Sequence, residues 1–225
     1  MEVDVRWYHP GTTFIVGASG SGKTRITSSI LHEKNDLFKS ADGKTIENVI
    51  LCYTSWQNIY QQWLDKGFLS KTIIGFPNLD ELQSNFNKVK SHGGTLLILD
   101  DLASSLSKQD IEALHTFLTV TSHHSHVSLL FIGHNLFHKN LRECSLQFHR
   151  YVITNNFRDG NQVSVLGRQI FHTDHNFLPQ VYKDVLRTSY NNLILDLSPN
   201  TPAFRRVTAG WFKTSPIIVY NQKDI

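Results

Sequence analysis

Short apolar runs alternate with longer stretches of helical period along most of the chain. Runs of this kind, bounded by glycine, acid and amide residues, read as strands covered on both faces, and the stretches between them as the covering helices. Strands are predicted over 13–16, 49–53, 72–74, 96–99, 127–132 and 151–154, and helices over 25–32, 56–66, 79–89 and 110–120. The second helix carries Ile59, Tyr60, Trp63 and Leu64 on one face, and the fourth carries Ile111, Leu114, Phe117 and Leu118 at core spacing. Beyond about residue 176 the pattern weakens to one helix over 177–186 and short β-like pieces at 193–197 and 217–220. The alternation predicts a three-layer α/β fold, a mostly parallel sheet with helices on both faces. Residues 1–175 are expected to form the core, with 176–225 an accessory segment packed on the same domain.

At 225 residues the chain suits one generous domain. The formal net charge of +3, with twelve histidines left neutral, permits a nucleic-acid partner without demanding one. Two cysteines, Cys52 and Cys144, lie far apart in or beside apolar runs, which reads as reduced thiols. No apolar stretch approaches the roughly 18 residues of a membrane helix. Met1-Glu2-Val3-Asp4 does not begin a signal peptide. The expected setting is intracellular, away from membranes.

Chemistry enters with Gly17-Ala18-Ser19-Gly20-Ser21-Gly22-Lys23-Thr24, which matches G-x-x-x-x-G-K-[S/T] directly after the apolar run Phe14-Ile15-Val16. Glycines let successive N–H groups turn inward around phosphate oxygens. Lys23 then places a point charge near the β- and γ-phosphates, and the Thr24 hydroxyl can ligate Mg²⁺ at the start of a helix whose N-terminus favours anions. The expected ligand is a nucleoside triphosphate with Mg²⁺.

The run Leu96-Leu97-Ile98-Leu99-Asp100-Asp101 is an apolar strand ending in two acids. Asp100 is placed to hold Mg²⁺, and Asp101 to polarise the water that attacks the γ-phosphate. A further strand, Ser128-Leu129-Leu130-Phe131-Ile132, ends in Gly133-His134-Asn135, where Asn135 or His134 could sense the γ-phosphate. Arg142, Arg150, Arg158 and Arg168 follow as candidates for an arginine that neutralises the transferred phosphoryl group. Arg142 and Arg158, in loop-like contexts, are favoured. The histidines between His115 and His138 show no helical pair with a matching acid or cysteine, so they read as hydrogen-bonding or phosphate-contacting imidazoles.

In this order the motifs resemble those of the genome-packaging ATPases of eukaryotic DNA viruses and of Polinton or Maverick elements and adintoviruses, a branch of the FtsK and HerA superfamily. The resemblance runs from the phosphate loop to Gln169. It rests also on Leu51-Cys52-Tyr53 with Trp56-Gln57 and Tyr60, and on Ser122-His123-His124. Further along it rests on Asn135-Leu136-Phe137-His138, Arg142, Phe157-Arg158-Asp159 and Gly167-Arg168-Gln169. Relatives commonly carry glutamine where this chain has His134, a basic residue where it has Ser125, and often glutamate where it has Asp101.

What the resemblance implies is a RecA-like P-loop core with an extra strand between the phosphate-loop and acid strands. It also implies ATP as the nucleotide and a homo-oligomeric ring that threads double-stranded DNA into a capsid, docked on a capsid or portal-vertex protein. The setting would be the nucleus or cytoplasm of an infected cell, with transient residence on the virion. Candidate DNA contacts are His138, Lys139 and Arg142, with Lys66 and Lys71. Two other classes stay open: a non-motor P-loop NTPase or phosphotransferase, and a nucleotide-binding scaffold without turnover. The nearest approach to the guanine motif, Asn87-Lys88-Val89-Lys90, has lysine where the acid is required, which disfavours a guanine switch.

Overall fold

Side-chain alternation within the strands sorts the core into two layers. In the strand Thr12–Val16, Phe14 and Val16 face one layer and Ile15 the other; in Gly94–Asp100, Leu97 and Leu99 oppose Leu96 and Ile98. All of these are buried, which is the requirement for a sheet sandwiched between helices. The computed structural model describes residues 4–79, 81–82, 93–121, 126–155, 160–187, 192–210 and 215–222.

In chain order the described elements are β1 (Trp7–His9), β2 (Thr12–Val16), α1 (Lys23–Leu37), β3 (Phe38–Ser40), β4 (Ile46–Tyr53), α2 (Asn58–Asp65), β5 (Lys71–Ile74) and β6 (Gly94–Asp100). There follow α3 (Lys108–Thr116), β7 (Val127–Gly133), β8 (Arg150–Ile153), α4 (Gly160–Ile170), α5 (Phe177–Leu186), β9 (Leu193–Asp196), β10 (Val207–Ala209) and β11 (Ile218–Tyr220). Among the described residues the main sheet has nine strands in the order β11-β10-β9-β8-β2-β7-β6-β4-β5, and β1 pairs with β3 in a small parallel sheet. From β8 to β5 neighbouring strands are parallel, so the C-terminal tips of β2, β7 and β6 lie side by side. The extra strand implied by the resemblance is β7, seated between phosphate-loop strand β2 and acid strand β6. Residues of α1 and α2 pack on one face, and those of α3, α4 and α5 on the other.

Each predicted strand is present, several with longer ends. The differences have local causes. The helix expected over 110–120 begins earlier, at Lys108, because Ser107 and Asp110 form a reciprocal capping box, and it changes to a π-helix over Phe117–Thr121. Of the helix expected over 79–89, Leu79, Glu81 and Leu82 are helical and the remainder lies outside the described residues. The pattern did not reveal β1, β3 and β10, each three residues long, or α4, whose glycines at both Gly160 and Gly167 weaken helix propensity. Burial of Val163 and Leu166 against the second layer holds α4 in place. In the tail, β9, β10 and β11 join the main sheet by antiparallel pairing.

Arg150, one of the four candidate arginines, is a structural cation. It is 1% exposed, and its Nε and Nη2 both donate to Asp196 Oδ2 at 3.1 Å across the β8–β9 pair. Nη1 donates to Thr13 Oγ1, and the guanidinium lies 4.4 Å from the centre of the Trp7 ring. A group so committed at the N-terminal end of β8 is not free to reach a phosphoryl group.

His9 closes the same end of the sheet. It is buried, its Nδ1 lies 2.7 Å from Ser128 Oγ, and that hydroxyl also accepts the Gly11 N–H. Burial, followed by the nearby charge of His126, pushes the His9 imidazole down to about 4. The unfolded chain, with an ordinary imidazole, therefore binds the extra proton first as pH falls. Stability is full above about pH 6.5 and declines toward pH 4, by on the order of 2 kcal/mol for this group. Urea unfolding across that range should show this loss in the parent chain. A His9→Asn variant should be less stable at pH 7 and show a shallower decline.

Candidate active site

The phosphate loop connects the tip of β2 to α1, and its shape depends on close backbone approach. A Cβ added at Gly17 would lie 1.8 Å from Thr154 Oγ1, just beyond β8, so only glycine fits beside that hydroxyl. Thr154 Oγ1 donates to Val16 O and lies 2.6 Å from Ser21 Oγ, which ties the loop to a second strand. Gly22, at φ 96°, turns the chain into α1 through the left-handed region. No side chain caps α1 and its first turn has no acid, so its leading N–H groups and partial positive charge stay available to an anion.

Lys23 opens α1 and folds back over the loop. Its Nζ donates to Gly17 O at 2.7 Å, to Ala18 O at 2.9 Å and to His134 Nδ1 at 3.2 Å. An ammonium can only donate, so Nδ1 accepts and the neutral imidazole carries its proton on Nε2. That nitrogen lies 3.4 Å from Asp101 Oδ1. His134 thus bridges the phosphate-loop lysine and the second acid. Burial lowers the pKa of Lys23, while Asp100 and Asp101 pull it back up.

Asp100, at the tip of β6, is 7% exposed. Burial raises its pKa; a hydrogen bond from Tyr60 and the Lys23 charge act in the opposite direction. Tyr60 OH donates to Asp100 Oδ2 at 2.7 Å, leaving Oδ1 without a protein partner among the described residues. Aromatic packing sets the Tyr60 ring: Tyr53, Trp56 and Trp63 lie with ring centres 5.4–5.7 Å from it, and Trp63 Nε1 donates to Ser28 Oγ on α1. Asp101 is exposed and sits at φ 54°, an uncommon backbone region for a residue with a Cβ, with its N–H bonded to Ile132 O of β7.

The structure therefore brings Lys23, Asp100, Asp101 and His134 together, with Thr24 in the first turn of α1. Asn135, the other candidate at the β7 tip, uses Oδ1 to accept the Phe137 N–H and shape the turn, and the next N–H, of Leu136, donates to Gln162 Oε1. Arg142 ends the short 3₁₀ turn Lys139–Leu141; it is exposed and its guanidinium has no hydrogen bond or ion pair among the described residues. Arg168 is exposed on α4, and Arg158 lies outside the described residues, as do His123 and His124. Sequence reading missed Tyr60 as partner of Asp100, Thr154 as the loop's anchor and His134 as a bridge. The departure at His134 from the relatives' glutamine was the available signal for the last.

Oxygen donors suited to Mg²⁺ are present: Asp100 Oδ1 and the Thr24 hydroxyl, neither engaged elsewhere among the described residues. Clusters of three or more His, Cys, Asp or Glu that could hold a metal are absent among the described residues, so the arrangement is that of a site completed by phosphate oxygens.

The family model of the AAA domain matches residues 5–141, more than half of the chain, and spans the phosphate loop, both acids and the β7 tip. The chain belongs to the AAA domain family. As a P-loop ATPase domain it is similar in fold to the genome-packaging NTPase B204 of Sulfolobus turreted icosahedral virus 2, solved with ATP-γS. That match has 15% identity and a TM-score of 0.55, and covers 94% of this chain and 97% of that one. It is similar to B204, the DNA-packaging ATPase of Sulfolobus turreted icosahedral virus, at 12% identity, a TM-score of 0.56 and the same coverage. The cytoplasmic domain of the Thermomonospora curvata type VII secretion ATPase EccC matches at 14% identity with a TM-score of 0.56, covering 98% of this chain and 26% of that one. No curated protein matches by sequence. At these identities the likeness is one of fold, and this AAA domain's chemistry rests on its own residues.

Tyr60→Phe keeps the aromatic packing and removes one donor from a buried carboxylate. ATP turnover should fall about 10-fold. The acid limb of its pH profile should move upward, because the lost hydrogen bond favoured the carboxylate form. Gly17→Ala should abolish binding of a fluorescent ATP analogue while the fold persists by circular dichroism.

Proposed function

We propose that this ATPase is an ATP-driven translocase of double-stranded DNA that packages a viral genome into a capsid, working as a homo-oligomeric ring. The observation that carries the reading is the β7 tip. A strand between the phosphate-loop and acid strands presents His134 to both Lys23 and Asp101, so the group that meets the γ-phosphate is joined to the segment 135–142 that leads to the exposed Lys139 and Arg142. Supporting it are the near end-to-end matches to the B204 proteins of the two viruses, one described as a genome-packaging NTPase and the other as a DNA-packaging ATPase. The motif resemblance to packaging ATPases of Polinton type and related viruses points the same way.

In this reading Lys23 and the open N-terminus of α1 hold the β- and γ-phosphates, with Thr24 and Asp100 as ligands of Mg²⁺. Charge neutralisation on those phosphate oxygens is what Mg²⁺ supplies when bound. Asp101 accepts a proton from water as its oxygen attacks the γ-phosphorus and the bond to the bridging oxygen breaks. His134 orients Asp101 and moves with Lys23 when phosphate displaces the lysine from Gly17 O and Ala18 O. Asn135 holds the turn that joins this tip to Lys139 and Arg142. In a ring Arg158 would serve a neighbour's nucleotide, which leaves the exposed Arg142 to the DNA.

The DNA grip belongs with Lys139 and Arg142 rather than with Lys66 and Lys71. Asn140 Nδ2 donates to Ala103 O, just past Asp101, which keeps 139–142 near the nucleotide end of the sheet. Lys66 ends α2 after it has run back from the tip of β4, and Lys71 opens β5, so both are at the opposite end. A non-motor NTPase remains the competing class, and the response to DNA separates the two.

The test is phosphate release from ATP with and without long linear double-stranded DNA, with Lys23→Ala as the blank. A motor releases phosphate faster on DNA, and Lys139→Ala/Arg142→Ala should lower both this stimulation and the salt slope of DNA binding, by about one unit of slope per contact removed. A clear basal rate that DNA leaves unchanged would overturn the translocase reading.

A further inference from the structure

Among the described residues, buried charge is unbalanced at the end of the sheet remote from the phosphate loop. Two arginines, Arg150 and Arg205, are buried there beside one carboxylate, Asp196. Every Asp196 oxygen is committed: Oδ2 accepts from Arg150 Nε and Nη2, and Oδ1 accepts from Ser198 N at 3.0 Å and Ser198 Oγ at 2.6 Å. Arg205, on the 3₁₀ turn Ala203–Arg205 before β10, is 7% exposed. Among the described residues no carboxylate lies within ion-pair distance of it. Its charge acts on Arg150 instead, as a like charge that adds to burial in lowering the pKa of Arg150. A guanidinium without a carboxylate partner, set in a cavity wall, is a ready donor to an anion.

Arg205 and Asp196 line a cavity of about 30 Å³ together with Trp7, Ile194, Thr208 and Ile217. A single water needs about 10–15 Å³ measured this way, so a planar head group of two oxygens fits. Thr208 is 8% exposed, and its hydroxyl has no partner among the described residues, which makes it a second donor facing the space. The remaining walls are apolar, and Phe204 and Ile218 stand half-exposed nearby in sequence. Among the described residues, Arg150 and Arg205 against Asp196 leave one uncompensated positive charge. That balance suits a monoanion better than a phosphate dianion, and a guanidinium fork matches the two oxygens of a carboxylate.

We propose that this pocket is a carboxylate-binding site, with Arg205 as the charged anchor and Thr208 as a second hydrogen-bond donor, that takes an organic monocarboxylate with a short apolar body. The carboxylate is free or is borne on an acidic side chain. The site is separate from the nucleotide and does not depend on the reading of the ATPase as a DNA motor.

The test titrates the full chain with isobutyrate at constant ionic strength, reading the NMR signals of the Arg205 Nε–H and of the Thr208 and Trp7 amides, with chloride and inorganic phosphate as comparison anions. Saturable shifts at all three with isobutyrate, absent with chloride and lost in Arg205→Met, are expected. A doubly capped glutamate that reproduces the shifts supports a side-chain ligand, and isobutyrate binding without it supports a free acid. Absence of a saturable shift, or phosphate binding as tightly as isobutyrate, would overturn the proposal. In buffer without carboxylates Arg205→Met should melt no lower than the parent, because it deletes an unpaired charge. A marked fall in its melting temperature would show that the guanidinium has a partner within the chain, and would overturn the proposal independently.

Discussion

A buried ammonium and a buried carboxylate, Lys23 and Asp100, constrain everything around them. Burial drives each toward its neutral form, and the charge of each holds the other ionised. The sheet supplies what that balance needs. Parallel pairing of β2, β7 and β6 sets three C-terminal tips side by side, so a lysine, a histidine and two aspartates that are distant in sequence meet without a long loop. Tyr60, fixed by its aromatic neighbours, donates to one oxygen of Asp100 and keeps the carboxylate oriented. Two carbonyls of the phosphate loop and His134 take the three donors of Lys23.

The two ends of the sheet divide the work. At the C-terminal end of the parallel strands charge is accessible and poised: Asp101 is exposed at an uncommon backbone angle, and α1 begins without a cap. At the other end, polar groups lock elements together. Arg150 ties β8 to β9 and to the Trp7 ring, and His9 with Ser128 closes the start of β7 against the turn before β2. Structural pairing stabilises one end without restraining the groups that must respond to phosphate at the other.

Much of this was legible in the sequence, for physical reasons. Strands buried on both faces write themselves as continuous apolar runs, so β2, β6 and β7 and their order of motifs could be read directly, and Gly17 to Thr24 carries its mechanism in its spacing. Three-residue strands such as β1 and β3 leave no period to detect. Tyr60 read as a member of an apolar helix face, which it is. That its hydroxyl meets Asp100 depends on β4 lying next to β6, a fact of topology and not of local pattern. Arg150 shows the converse: it was one of four candidate arginines after β7, ranked behind Arg142 and Arg158 only for its context, and its structural role became visible when the β8–β9 register placed Asp196 opposite it. Asn135 and His134 were alternatives in sequence for the group at the β7 tip; in the structure Asn135 Oδ1 accepts the Phe137 N–H, and His134 reaches Lys23 and Asp101.

We propose that at this cluster of strand tips Asp101 takes the proton of the attacking water. Single-turnover phosphate release from ATP by Asp101→Asn, beside the parent chain and with nucleotide affinity measured for both, tests it most directly. The substitution keeps the size of the side chain and removes its basicity. ATP binding should stay close to that of the parent, with phosphate release slower by about 100-fold or more. Release at the parental rate would contradict it.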